Sequence, residues 1–157
     1  MPKISKKLST GLSLGLAIFF FFACVAGLFI LPALTEMLLD TPDNIGNRQT
    51  ITPLGRGLCH ISAYLIVLIM LLADVLLFFL LLRVRKGKVF TDISVALIRG
   101  VSWCCLGLCL PFGFLGIYFQ LSWLVCFLAV FLGLSLRVCK NAFEEATQIK
   151  QENDLTV

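Results

Sequence analysis

The stretch from Val101 to Val138 runs 38 residues with a single charge, Arg137, at its far edge. As one helix it would reach about 57 Å at roughly 1.5 Å per residue. A bilayer core is only about 30 Å thick. The stretch is too long for one crossing, so it is expected to fold back as a hairpin. Its midpoint falls between Phe119 and Gln120, with Tyr118 and Trp123 close by. Aromatic residues favour such a membrane interface. The turn is therefore placed near Phe119 to Ser122. That leaves Pro111 inside the third span, where its missing N–H kinks the helix. A turn at Pro111–Gly113 is the alternative.

Composition supports a membrane reading. Apolar residues make up 59% of the 157 residues and charged residues 14%, with 14 Phe. Ordinary soluble domains run at about 45–50% apolar and about 25% charged. Two further apolar runs, Gly11–Leu34 and Leu58–Leu82, are each long enough to cross. Lys3, Lys6 and Lys7 precede the first run, as in a signal peptide. The run exceeds the roughly 7–15 residues of a signal-peptide core, however, and reads as a retained helix. The expected fold is all-α, a four-helix transmembrane bundle in one domain. Its spans lie at about 11–34, 58–82, 97–118 and 122–139, with a basic loop at 83–96 and a tail at 140–157.

Charge orients the spans. Eleven of the 13 basic residues lie on one side: before the first span, from the end of the second to the start of the third (Arg99), or from the end of the fourth (Arg137) onward. The segment Thr35–Gly57 carries Glu36, Asp40 and Asp43 against Arg48 and Arg56. The positive-inside rule then places both termini in the cytoplasm of a multi-pass protein. The segment Thr35–Gly57 holds no catalytic grouping and reads as a linker.

The connector "RVRKGKVFTD" divides into parts. Arg83, Arg85, Lys86 and Lys88 form an anchor to anionic lipid or a partner, and Gly87 permits a tight turn. Thr91 caps the next helix, Asp92 favours its positive end, and Phe90 is expected to staple onto Val95. In the tail, Ala142, Phe143, Ala146 and Ile149 recur at helical spacing, and Lys140 can pair with Glu144. The fourth helix is expected to continue to about Gln151, with "ENDLTV" as an extended end. Glu144, Glu145, Glu152 and Asp154 share a side with the basic loop, so docking of tail on loop, or of both on a soluble partner, is the sharper reading. A solvated, frayed tail is the plainer one.

Asp74 is the acidic residue inside a span, about 13 Å from the inner boundary. Arg99, Trp103 and Ser102 are its nearest candidate partners in sequence depth. It reads either as a packing hydrogen bond or as the site of a small proton- or cation-coupled transporter or channel. The four-residue spacings Gly11–Gly15 and Ala23–Gly27 are compatible with a homo-oligomer.

Seven Cys, an odd number, offer no C-x-x-C spacing. Cys24, Cys104, Cys105, Cys109 and Cys126 lie in apolar runs and read as small hydrophobes. With one His, a zinc site is not expected. No nucleophile with its base, paired-carboxylate site or phosphate loop appears, so no enzyme, cofactor or metal is expected. Direct nucleic-acid binding is not expected either.

The segments "KGKVFTD" (Lys86–Asp92), "VSW" (Val101–Trp103) and "KNAFEEATQIKQENDLTV" (from Lys140) resemble a bacterial membrane family catalogued as domain of unknown function 2975. The likeness extends to the spacing of the four spans. Val89 departs from the Pro, or similar residue, usual before the Phe-Thr pair, and the Cys content looks particular to this chain. The resemblance implies four membrane helices, no established activity and no catalytic residues. It also implies frequent gene neighbourhood with a small helix-turn-helix regulator of the Xre type. A regulatory or scaffold role is therefore expected, with a soluble cytoplasmic partner held by the loop and tail.

Overall fold

The computed structural model describes residues 6–40, 51–87 and 89–155. Helices α1 (Lys6–Asp40) and α2 (Pro53–Arg85) come first. Helices α3 (Asp92–Gly107) and α4 (Cys109–Leu115) together make the third apolar segment, and α5 (Gln120–Leu155) is the fourth. There is no strand among the described residues. These four segments are long and apolar enough to cross a membrane, as a multi-pass membrane protein requires.

Local chemistry sets the helix starts. The hydroxyl of Thr52 accepts from the Gly55 N–H at 3.3 Å, with Pro53 in the first helical turn. Thr91 does the same for Ser94 at 3.4 Å, and Asp92 stands at the positive end of α3. Between these helices Gly87 adopts φ 72°, which a side chain would resist. The break between α3 and α4 falls at Leu108. Pro111 lies one turn further on and has no N–H for the carbonyl of Gly107, so the helix interrupts there.

The chain reverses over Gly116–Phe119, slightly ahead of the expected turn and clear of Pro111. Gly116 is required there: a Cβ would sit 2.7 Å from the Trp123 indole. At the same end of the bundle the Tyr118 hydroxyl stands where a Cβ on Gly55 would be only 2.9 Å away. This contact brings the hairpin tip against the start of α2.

Packing follows chain order. Among the described residues α1 packs on α2, α2 on α3 and α4, and α5 on α3 and α4. Helix α1 therefore presents most of its circumference outward, including Phe19, Phe22 and Phe29. A soluble protein would not leave so much apolar surface bare, whereas lipid tails cover it without cost. The tight seam is between α3 and α5. On α5 the inward positions Cys126, Ala129, Gly133, Lys140, Phe143 and Thr147 recur at steps of three, four and seven. That is the spacing of a left-handed helix pair. Small residues let the backbones approach, and the Ser102 hydroxyl donates to the Gly133 carbonyl at 2.8 Å. The pairs at Gly11–Gly15 and Ala23–Gly27 do not serve this purpose: Cβ atoms added at these glycines would meet nothing within 4 Å.

Candidate functional site

The loop and the far part of α5 come together. Helix α5 is 36 residues long, about 54 Å against a core of about 30 Å. Its last four turns therefore extend past the apolar bundle. They do not fray at Gln151: the helix continues to Leu155, so the "ENDL" segment expected to be extended is helical. The chain there has no Gly or Pro to stop a helix that packing has already nucleated.

Two contacts hold the extension to the start of α3. The ring of Phe90 stacks on Phe143, with centroids 5.8 Å apart and planes 28° from parallel. The aromatic partner of Phe90 thus comes from α5. Glu144 pairs with Lys140 on its own helix and with Arg99 on α3 at 3.7 Å. The hydrogen bond from Lys140, with the further pull of the Lys140 and Arg99 charges, holds the Glu144 carboxyl below the usual carboxylate range. Thr147, 2% exposed, closes the interface and donates back to the Phe143 carbonyl at 2.7 Å.

The inward stripe differs from the expected one. Phe143 is on it, but Ala142 and Ile149 face outward, Ile149 with 54% of its surface exposed. The α3–α5 crossing, not apolar content, selects the Lys140–Phe143–Thr147 side. Arg83, Arg85 and Lys86 form no ion pair among the described residues, and Glu145 is exposed. The side chains of Lys88 and Asp154 lie outside the described residues.

Asp74 is placed elsewhere. It lies beside a groove of about 230 Å³ between α1 and α2, formed with Ala17, Ile18, Phe21, Val75, Phe78 and Phe79. The exposed wall of that groove is apolar. None of the three donors considered for Asp74 serves it. Arg99 is taken by Glu144, Ser102 by the Gly133 carbonyl, and the Trp103 ring lies under Arg137, 4.4 Å from its guanidinium carbon. All three residues face α5, whereas Asp74 faces α1.

Two polar features escape sequence reading. At the opposite end of the bundle, Arg56 bridges Glu36 and Asp40, each at 2.9 Å, and His60 meets Glu36 at 2.9 Å. The two ends of the segment, 35–40 and 53–57, are therefore helical and pinned to each other; residues 41–50, Asp43 and Arg48 among them, lie outside the described residues. The one-turn spacing of the two acids was the available signal, but it does not reveal that α1 runs as far as Asp40. Cys109 and Cys126, both free thiols, meet at 3.0 Å across α4 and α5. Their separation in sequence gives no hint of that contact. No group of His, Cys, Asp and Glu suited to a metal ion occurs among the described residues.

Comparison with known proteins finds no matching family, no matching curated protein and no matching solved structure.

Proposed function

We propose that this chain is a non-enzymatic scaffold or regulatory protein of a bacterial inner membrane, with both termini in the cytoplasm. It holds a soluble partner at the inner face through the loop before α3 and the α5 extension. The observation that carries this reading is the interlock of Phe90 with Phe143 and of Arg99 with Glu144. It fixes a helix of about four turns beyond the apolar bundle, so a partner meets a preformed surface and the ordering cost of binding falls. Arg85, Lys86, Glu145 and Ile149 remain exposed on that end. The resemblance to the domain of unknown function 2975 family makes a helix-turn-helix regulator the first partner to try.

The test is affinity capture from native membranes with the full chain and with a Glu145→Arg, Ile149→Arg variant. The reading expects a soluble protein that copurifies with the first and is lost from the second. An identical set of captured proteins in both would sink it.

A second reading, proton- or cation-coupled transport through Asp74, has less support. A transport carboxylate gathers polar groups around it, and the groove beside Asp74 has an apolar wall. Unchanged proton-coupled flux in Asp74→Asn vesicles would remove Asp74 from any transport mechanism.

A further inference from the structure

A second charged strip lies on the α3–α5 pair and is not used by the partner surface. Trp103 and Arg137 meet across the two helices with the guanidinium carbon 4.4 Å from the ring centroid. One turn towards the loop, Arg99 meets Glu144 at 3.7 Å. Lys140, which also pairs with Glu144, lies between these two levels on α5. The two cross-helix ties put all five side chains on one strip. Arg99 and Lys140 pair with Glu144 and Arg137 lies over Trp103, so three cations share the strip with one carboxylate, an excess of two positive charges.

The excess has usable donors. Arg137 has no ion pair among the described residues, and Arg99 keeps guanidinium N–H groups beyond the one near Glu144. Stacking on Trp103 holds the Arg137 guanidinium in place instead of leaving it free to drift outward. Trp103 is 60% exposed and Val138 70% exposed, so apolar surface continues beside the cations. The strip stands where the apolar run of α5 gives way to its charged extension, the depth at which headgroup phosphates lie.

We propose that this strip binds the phosphate of an anionic glycerophospholipid, with Arg99, Arg137 and Lys140 on the phosphate and Trp103 against the glycerol and upper acyl chain. An anionic lipid is selected over a zwitterionic one because a choline ammonium would meet the strip's positive excess. The apolar surface at Trp103 and Val138 suits an acyl chain better than a soluble phosphate. The proposal goes beyond partner binding and rests on the bundle spanning a membrane.

The full chain is reconstituted with equal phosphatidylglycerol and phosphatidylcholine, and the retained lipid is read by native mass spectrometry. The wild type should retain phosphatidylglycerol about fivefold or more over phosphatidylcholine, the scale of one well-placed cation near the surface. Arg137→Gln should lower the preference, and Arg99→Gln with Arg137→Gln and Lys140→Gln should bring it to about one, the value expected without electrostatic selection. Lys150→Gln, at an exposed cation further along α5, should leave it unchanged. Glu144→Gln removes the carboxylate and should raise the preference, a gain that poor folding cannot mimic. Equal retention of both lipids by the wild type overturns the site, as does a loss in the Lys150 variant as large as in the triple variant. A fall in Glu144→Gln overturns it too. A chain that stays out of the bilayer overturns the spanning reading and the site together; one that inserts without lipid preference overturns the site alone.

Discussion

Phe90, in the connector before α3, stacks on Phe143 of α5, 53 positions further along the chain. That contact turns a tail into part of the fold. It lies beyond the apolar bundle, so its strength decides whether the α5 extension is a fixed surface or a loose end.

Removing either ring should free the extension. Phe90→Ala and Phe143→Ala are each expected to raise hydrogen exchange over residues 140–152. In a double-mutant cycle the pair should couple by about 0.5–1.5 kcal/mol, the range for stacked aromatic rings. Additive effects of the two substitutions would show that the stack contributes nothing.

The extension should also loosen in acid. Glu144 is held below the usual carboxylate range, chiefly by its hydrogen bond with Lys140. A carboxyl depressed in the folded state contributes stability that is present above its unfolded value, about 4.3 for Glu, and is lost as pH falls through the lower folded value. Exchange protection over residues 140–152 is expected to hold from neutral pH down to about the unfolded value, and to decline below it until the folded value is passed. Glu144→Gln should flatten this part of the profile.

Glycines should differ sharply in their tolerance of a methyl group. Gly116→Ala would drive a Cβ to 2.7 Å from the Trp123 indole, and Gly133→Ala to 2.9 Å from Leu106 Cγ. Both should destabilise the α4–α5 or α3–α5 packing by about 1–3 kcal/mol, as overpacking does. Gly11→Ala meets nothing within 4 Å. It should be neutral or stabilising by up to about 1 kcal/mol, because Ala favours a helix over Gly. Thermal unfolding in detergent separates the three.

Asp74→Leu should stabilise the protein. No hydrogen bond or ion pair to Asp74 occurs among the described residues, so no such tie is lost. The gain should approach the roughly 2.5–3.5 kcal/mol that an Asp costs at the centre of a membrane helix. A clear loss of thermal stability instead would mean that the carboxylate has a structural partner.

The sequence alone determined the class of this protein. Long apolar runs, read against the thickness of a bilayer, give four segments able to cross, because a membrane helix satisfies its own backbone within each segment. The turn glycine and the Thr91 cap were legible for the same reason: each acts within a few residues. Tertiary structure decided which side chains meet. Successive helical residues rotate by about 100°, so the partner of any residue depends on how neighbouring helices cross. The crossing of α3 with α5 gave Arg99 to Glu144, laid Arg137 over Trp103 and turned Ile149 outward. The same packing left Asp74 beside α1, away from every donor its depth in the sequence had suggested. Depth follows from counting residues along one helix; facing requires the rotation of two.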